Sequence, residues 1–247
     1  MTGHLNDYKV LTFDCYGTLI DWETGIWDAL QPVIMQNRRS DITRETGLAS
    51  FALHESAQEK ATPDLLYPQL LERVHAAIAL EFDIATTAQA DAEFGQSVAH
   101  WPAFPDSADA LRYLKTRFRL VILSNVNRDG FAASNRKLGV EFDAIYTAQD
   151  VGSYKPSHAN FEYMLANLSR DFGLGAEDIL HTAQSLHHDH VPAKEFGLAN
   201  AWIDRQRLSE SGHWGATARV ENRPDVDFLY FSMGEMASAL RADEAPV

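Results

Sequence analysis

The chain has 247 residues, 45% of them hydrophobic, and carries a formal net charge of −14 at pH 7. This apolar content is enough for one large domain, or for a core domain with an inserted lobe, and it argues against intrinsic disorder. The acidic balance argues against a nucleic-acid partner and gives no general attraction for an anionic substrate, so an anion site has to be locally positive.

Cysteine use and hydropathy bear on the compartment. Cys15 is the single cysteine, so an intramolecular disulfide is excluded and a reducing compartment is favoured. The sequence shows no signal-peptide pattern and no apolar run of membrane-spanning length. We therefore expect a soluble, cytoplasmic protein with no membrane partner.

The first predicted element is a buried strand within KVLTFDCYGTLI at residues 9–20. The apolar run suits a parallel strand that brings Asp14 to its carboxyl end, where open α/β sheets bind their ligands. A carboxylate there can act as a nucleophile, and Gly17 and Thr18 would let backbone N–H groups and a hydroxyl approach whatever Asp14 attacks. The alternative is an aspartate that caps the next helix.

A helical block follows at residues 21–94, with stretches such as LLYPQLLERVHAAIALEF at 65–82 and no convincing strand. Such a block between the first strand and the next strand unit predicts an inserted cap. We place the helical cap domain at residues 21–99 and the core domain at residues 1–20 and 100–247.

The rest of the chain alternates between strands and helices, starting at residues 101–105. The predicted strands cover residues 120–124, 144–147, 179–182 and 200–203. The predicted helices cover residues 108–117, 129–137, 158–167, 191–196 and 234–241, and residues 209–223 are polar enough for a loop. The alternation predicts an α/β fold with a doubly wound parallel sheet and right-handed crossovers.

Three later segments would bring polar residues to the same sheet edge as Asp14. They are LVILSN at 120–125, VGSYKP at 151–156 and ILHTAQSLHHD at 179–189. Together with Asp14 they resemble the ordered four-motif signature of the haloacid dehalogenase superfamily, over nearly the whole chain. The resemblance implies a Rossmann-like core with a helical cap.

Two positions depart from the phosphatases of this superfamily. Those enzymes carry an acid two residues after the nucleophile, where this chain has Tyr16. They hold Mg²⁺ partly through acidic residues of the fourth motif, where this chain has Gln184 and Ser185 followed by Asp189. Loss of a charged oxygen weakens a site for Mg²⁺, which phosphoryl transfer needs, so both substitutions count against a phosphatase.

The motif Asp-Cys-Tyr-Gly-Thr at residues 14–18 is similar to that of the L-2-haloacid dehalogenases, in which a halide leaves without a proton and without a metal. The resemblance implies that Asp14 attacks the halogen-bearing carbon of a short, anionic 2-haloacid with inversion. Water then hydrolyses the aspartyl ester and releases a 2-hydroxyacid. It implies no cofactor and no metal.

The same resemblance suggests roles for the other polar residues. Lys155 would keep Asp14 ionised, and Asp189 would orient Lys155 or help to activate the hydrolytic water. The expected substrate-binding residues are Thr18, Tyr16, Ser124, Asn125, Ser185 and His188. Four of these residues have an ordinary alternative: Lys155 as a solvated lysine, Asp189 as a helix cap, and Ser124 and Asn125 as turn formers.

The resemblance is incomplete in the cap, where the dehalogenases have an arginine that helps to hold the halide. Residues 51–67 contain none, and His54 or Lys60 are the candidates to replace it. Near the core motifs, Phe161 and Leu186 stand where the family has a tyrosine and an asparagine.

The histidines near the predicted site have two interpretations, and so do the tryptophans. His187, His188 and His190 could suggest zinc, but adjacent histidines seldom share one ion, and one of them could instead supply positive or donor character beside Asp189. The tryptophans near the cap junction, Trp22, Trp27 and Trp101, could line an apolar pocket or could only pack.

Two other functions stay open from the sequence. One is a phosphatase with an altered metal site that acts on a small phosphate ester. The other is a binding protein that keeps the scaffold without efficient catalysis. A homodimer is expected by family resemblance.

Overall fold

The computed structural model describes residues 3–243 of the chain. Its strands are β1 (Val10–Phe13), β2 (Arg119–Ser124), β3 (Ala144–Thr147), β4 (Ile179–Ala183), β5 (Ala199–Ile203) and β6 (Phe228–Tyr230). They form one sheet in the order β3-β2-β1-β4-β5-β6, and every pair is parallel. This arrangement confirms the predicted doubly wound α/β fold.

The helices surround this sheet and supply the block between β1 and β2. They are α1 (Trp22–Gln36), α2 (Arg44–Ala61), α3 (Tyr67–Glu81), α4 (Ala88–Gly95), α5 (Ser107–Leu114), α6 (Arg128–Leu138), α7 (Ala148–Val151), α8 (His158–Phe172), α9 (Val191–Glu195) and α10 (Met233–Asp243). Within residues 3–243, none of the helices combines the length and the apolar character that a membrane span requires.

The central strands are buried on both faces. All four residues of β1 and all five of β4 are buried, as expected for parallel strands covered by helices on both sides. Phe13 lies in register with Ile122 of β2 and Thr182 of β4. The carboxyl ends of β1, β2 and β4 therefore meet at one place.

Local sequence explains where several elements begin and end. Thr43 caps α2 by accepting a hydrogen bond from Thr46 N, and Gly139 ends α6 in the left-handed region at φ 62°. Helix α8 continues past the predicted end at residue 167 and stops at Gly173, also left-handed at φ 66°.

Some predicted elements need correction. Residues 101–105 form no strand, and only an isolated antiparallel bridge joins Ala103 to Ile20. Strand β1 ends at Phe13, which leaves Asp14 on the loop that follows. The short edge strand β6 and the four-residue helix α7 were not predicted, and residues 186–190 form a π-helical turn.

Candidate active site

The carboxyl group of Asp14 lies directly after β1 and is 6% exposed. Its Oδ2 accepts a hydrogen bond from Thr18 Oγ1 at 2.9 Å, and its Oδ1 accepts one from Lys155 Nζ at 3.0 Å. Thr18 Oγ1 also accepts from the backbone N–H of Gln184 at 2.9 Å. The turn needs Gly17, whose φ is 92°, because a side chain there is strained and would press on Gln184 and Trp22.

Lys155 is the centre of a buried ion network. Its ammonium donates to Asp14 Oδ1, to Asp189 Oδ1 at 2.6 Å and to the carbonyl of Leu123 at 2.9 Å. Asn125 fixes the lysine backbone, since its amide donates to Lys155 O at 3.0 Å and its Oδ1 accepts from Lys155 N at 2.7 Å. The three N–H donors of the ammonium are therefore all in use.

Asp189 is held from the far side by a histidine that the sequence reasoning did not single out. His181, fully buried in β4, lies with Nε2 2.9 Å from Asp189 Oδ1 and with Nδ1 2.8 Å from Thr12 Oγ1. With Nε2 protonated, the ring donates to the carboxylate and accepts from the hydroxyl. Asp189 Oδ2 is buried and has no partner within residues 3–243.

Burial and charge act in opposite directions on this network. Burial raises the pKa of Asp14, and the nearby ammonium of Lys155 opposes that rise. Burial also disfavours ionised Asp189, but Lys155 and His181 hold its pKa well below the usual range. The two carboxylates outweigh the burial of Lys155 and raise its pKa, so the lysine stays charged.

The donor set does not suit the magnesium ion of the phosphatases in this fold. No group of three or more His, Cys, Asp or Glu side chains in the described residues could hold a metal ion. The ammonium of Lys155 lies within hydrogen-bond distance of both Asp14 and Asp189, and the amide of Gln184 donates to Gln206 and Thr217. A hard dication with octahedral demands finds too few charged oxygens here.

A pocket enclosing about 600 Å³, its open mouth included, lies over Asp14. From the core, its walls include Asp14, Tyr16, Asn125, Lys155, Gln184, Ser185, His188 and Asp189. From the helical block, α1 supplies Trp22, α2 supplies Glu55, Ser56 and Glu59, and α3 supplies Tyr67. The pocket is therefore formed between the sheet edge and the block of helices.

A comparison with protein-family models identifies the family of this chain. A family model described as a haloacid dehalogenase-like hydrolase matches residues 8–182, which span β1 to β3, the first three motifs and the beginning of the fourth. The chain belongs to the haloacid dehalogenase-like hydrolases. None of the curated proteins compared with it matches.

Solved structures share the fold of this haloacid dehalogenase-like hydrolase. A defluorinating L-2-haloacid dehalogenase has a TM-score of 0.75 at 19% identity, over 95% of both chains. The L-2-haloacid dehalogenase of Xanthobacter autotrophicus with chloropropionic acid covalently bound has a TM-score of 0.75 at 16% identity, over 95% of this chain and 98% of the other. A HAD hydrolase of Bacillus subtilis bound to magnesium has a TM-score of 0.72 at 17% identity, over 95% and 99%.

The residues expected to bind substrate divide into two groups in this hydrolase. Tyr16, Asn125, Ser185 and His188 line the pocket. Thr18 and Ser124 are buried and do not line it; Thr18 contacts Asp14, while Ser124 Oγ has no partner within residues 3–243.

Of the two characters expected for a histidine beside Asp189, positive or donor, His188 keeps only the second near neutral pH. Burial lowers its pKa to about 4, so the ring is neutral at pH 7 and can serve only as a donor or acceptor. Its Nδ1 lies 3.2 Å from Ser185 Oγ. His190 instead has Nε2 2.9 Å from the carbonyl of Ala183, so the histidines do not converge on a common point.

Neither candidate for the missing cap arginine lines the pocket. His54 Nε2 lies 2.8 Å from Glu81 Oε2 on α3, and Lys60 is exposed. The residues of α2 that do line the pocket are Glu55, Ser56 and Glu59, which the sequence reasoning passed over.

The aromatic residues mostly pack. Trp22 lines the pocket, whereas Trp101 is fully buried and lies edge-on to Tyr16 with ring centroids 5.3 Å apart. Phe161 stacks on Phe196 in the core, and Leu186 packs against Trp202 in a separate cluster.

Arg205 is a further residue that the sequence reasoning missed. Its guanidinium donates twice to the backbone carbonyl of Thr18, at 2.9 and 2.8 Å, and forms an ion pair with Asp106 at 3.0 Å. It also lies over the ring of Phe104, 3.8 Å from the centroid. Arg205 thus fixes the turn that carries Thr18, whose hydroxyl contacts Asp14.

Proposed function

We propose that this hydrolase converts short 2-haloacids to 2-hydroxyacids through an ester on Asp14. The observation that carries the proposal is the state of Asp14: a buried carboxylate held by Thr18 and Lys155, with a tyrosine in place of the phosphatase acid and with a donor set unsuited to Mg²⁺. Such a group can attack carbon, whereas phosphoryl transfer lacks its usual means of charge neutralisation.

The first step is displacement at carbon. One carboxylate oxygen of Asp14 forms a bond to C2 of the substrate while the carbon–halogen bond breaks and the halide leaves with the electron pair. No proton is needed, which suits Tyr16: burial raises its pKa well above the usual value, so it stays a neutral phenol. Its hydroxyl lies 3.0 Å from Ser134 Oγ, which orients the ring.

The second step is hydrolysis of the ester. Water attacks the Asp14 carbonyl carbon and releases one proton to solvent. The tetrahedral oxyanion then collapses, the bond to the 2-hydroxyacid oxygen breaks, that oxygen takes the second proton of the water, and the Asp14 carboxylate re-forms. Lys155 and Thr18 are placed to stabilise the oxyanion. Asp189, whose Oδ2 is without a partner and which lines the pocket, can accept a hydrogen bond from the attacking water.

Neutral donors would hold the substrate carboxylate in this acidic chain. Tyr16, Asn125, Ser185 and His188 line the pocket beside Asp14 and are the substrate-binding residues that we propose, with Ser124 buried behind them. We also propose that residues 21–99 form a cap domain over the core of residues 1–20 and 100–247. A cytoplasmic location and a homodimer remain predictions from the sequence.

The proposal draws support from the neighbours in structure, two of which are described as L-2-haloacid dehalogenases, one of them with chloropropionic acid covalently bound.

Halide release tests the function directly. The purified protein is incubated with chloroacetate, fluoroacetate and each enantiomer of 2-chloropropionate in the presence of EDTA, and in parallel with an aryl phosphate and Mg²⁺. We expect halide release without metal and loss of that release in Asp14→Asn. Phosphate release that requires Mg²⁺, with no halide, would make the protein a phosphatase; no product from either would leave a binding scaffold.

A further inference from the structure

The wall of the active-site pocket contributed by helix α2 is acidic. Glu55 and Glu59 lie four residues apart, on one face of that helix, and both line the pocket that contains Asp14. Glu55 Oε1 accepts from the hydroxyl of Tyr67 on α3, and Glu59 Oε1 accepts from Asn125 Nδ2 at 3.3 Å. These bonds fix one oxygen of each carboxyl group, and no hydrogen bond within residues 3–243 reaches the other.

The charges that line the pocket do not balance. Four carboxyl groups line it, those of Asp14, Asp189, Glu55 and Glu59, and Lys155 is the one Lys or Arg side chain among the lining residues of the described chain. The donors of Lys155 are taken by Asp14, Asp189 and the Leu123 carbonyl. His188 adds no positive charge near neutral pH.

A second observation points to a missing donor. Asp189 is 0% exposed, lines the same pocket, and its Oδ2 has no hydrogen-bond partner within residues 3–243. A buried carboxylate oxygen is costly without a donor, so this side of the pocket takes a donor from outside the chain, which the attacking water supplies during hydrolysis and a ligand group can supply otherwise.

The titration of the glutamates agrees with this charge balance. Burial raises the pKa of Glu55 to about 7, and burial together with the charge of Glu55 raises the pKa of Glu59 well above its usual value. The charge of Lys155 opposes the rise at Glu59 but does not outweigh burial and the neighbouring carboxyl group, so a further cation beside the pair would favour the charged forms.

We infer that Glu55 and Glu59 form a subsite for a cationic, hydrogen-bond-donating group of the substrate, so that the substrate is a short 2-haloacid with an ammonium group at its far end. The inference rests on the proposed function for the reacting end of the molecule. Charge-assisted hydrogen bonds from the ammonium to the two glutamates would position the chain, while its halogen-bearing carbon meets Asp14.

Binding of unreactive analogues tests the subsite without any turnover. Three acids share a chain and differ at the far end: 4-aminobutanoate ends in an ammonium group, pentanoate in a methyl group and glutarate in a carboxylate. Each is titrated into the wild-type protein by calorimetry at pH 7.5. We expect 4-aminobutanoate to bind about tenfold or more tightly than pentanoate, and glutarate to bind weakest.

Variants assign the preference to the two glutamates. Glu55→Gln and Glu59→Gln keep the side-chain size and an acceptor oxygen but remove the charge, and each should lower the ratio of 4-aminobutanoate to pentanoate affinity several-fold. Glu45→Gln removes the same charge from an exposed position of the same helix and should leave the ratio unchanged. Thermal unfolding confirms that each variant is folded.

The outcomes separate the subsite from the reaction. Equal affinities of the wild-type protein for 4-aminobutanoate and pentanoate, no measurable binding of either, or a preference that survives both glutamate substitutions would overturn the inference. If the preference holds while no 2-haloacid releases halide, the proposed reaction fails and the cationic subsite stands. If halide is released but pentanoate binds as well as 4-aminobutanoate, the reaction stands and the subsite fails.

Discussion

Lys155 determines the charge balance around Asp14. It is 1% exposed and bridges two carboxylates that are themselves buried. Without the ammonium, Asp14 and Asp189 would repel each other in a medium that already disfavours their charges. Lys155 thus contributes both to the stability of the fold and to the ionised state of Asp14.

Replacement of Lys155 by methionine should therefore affect both properties. We expect Lys155→Met to lower the free energy of unfolding by about 3–5 kcal/mol, because a buried partner is removed, and to reduce halide release by about a hundredfold or more. Urea denaturation and the halide assay measure the two effects. The control is Lys9→Met: Lys9 pairs with Asp178 at the surface, with its side chain 68% exposed, and its loss should barely change either quantity. Similar stability losses in both variants would contradict this account of Lys155.

The raised pKa of Glu55 predicts how stability depends on pH. Because its pKa rises from 4.5 to about 7 on folding, the folded protein holds this proton more tightly than the unfolded chain does. The contribution of Glu55 to stability is full below about pH 4.5 and falls as the pH rises through about 7.

Glu55→Gln removes this dependence. The unfolding free energy of the variant minus that of the wild-type protein should be about 1–3 kcal/mol larger at pH 8 than at pH 5. Urea denaturation of both proteins at both pH values measures this difference. Glu45→Gln, from an exposed site, should show no such gain. An equal difference between Glu55→Gln and wild type at both pH values would show that Glu55 ionises normally.

At the residue scale, the central residues of the site could be predicted from the sequence, but the glutamates that α2 contributes to the pocket could not. Asp14 and Asp189 could be predicted because each comes after a buried strand, and parallel strands bring their carboxyl ends to one edge. Lys155 could be predicted from its motif, in which it stands just before a proline in the segment after β3. Glu55 and Glu59 could not be predicted as pocket residues, because the rotation of α2 about its axis decides whether their side chains face the pocket or the solvent. Their spacing of four residues was the available signal, but on a helix it is equally typical of a solvated face.

At the scale of elements, the strands with apolar runs were predicted and the short or irregular elements were not. Strand β3 matches its predicted range, and β2, β4 and β5 differ by one residue at an end. Strand β6 has three residues and none of them is buried, so its sequence has no buried apolar run. The π-helical turn that carries Asp189 is five residues long, and no 3.6-residue periodicity can develop over that length.

Close packing connects α1 to the segment that returns from the helical block to the core. Gly25, in α1, lies against the ring of Trp101, and a Cβ at Gly25 would overlap ring atoms of that side chain. Trp101 is fully buried and in turn lies against Tyr16 of the pocket. The position of the pocket wall therefore depends on the absence of a side chain at residue 25.

A methyl group at this position should destabilise the fold. We expect Gly25→Ala to cost about 1–3 kcal/mol of unfolding free energy through overpacking, measured by denaturation. Gly234→Ala, in α10, is the matched control: the nearest atom to its Cβ would be Asp106 Cβ at 3.4 Å, and alanine favours the helix, so stability should hold or rise. Tolerance of alanine at both positions would show that α1 can shift away from Trp101.

At the scale of the whole molecule, the fold places the buried Asp14 between the sheet edge and helix α2. The wall formed by α2 is acidic, whereas the family resemblance led us to expect a basic residue there. The core side contributes Lys155, whose donors are taken by Asp14, Asp189 and Leu123 O, together with neutral polar groups, while α2 contributes two carboxyl groups. With a net charge of −14, the rest of the chain gives no attraction for a simple anion. On the proposed function and the inferred subsite, the pocket would hold a small zwitterion, with its carboxylate on the core side and its ammonium group at α2.

The central claim is that Asp14 becomes esterified to carbon and that water then attacks its carbonyl. A single turnover in water enriched in ¹⁸O, with protein in excess over 2-chloropropionate, tests it by mass spectrometry of the Asp14 peptide and of the lactate. The account predicts one ¹⁸O atom in Asp14 and none in the lactate formed. Label in the lactate, with an unlabelled Asp14, would show that water attacks the substrate directly and would contradict the account.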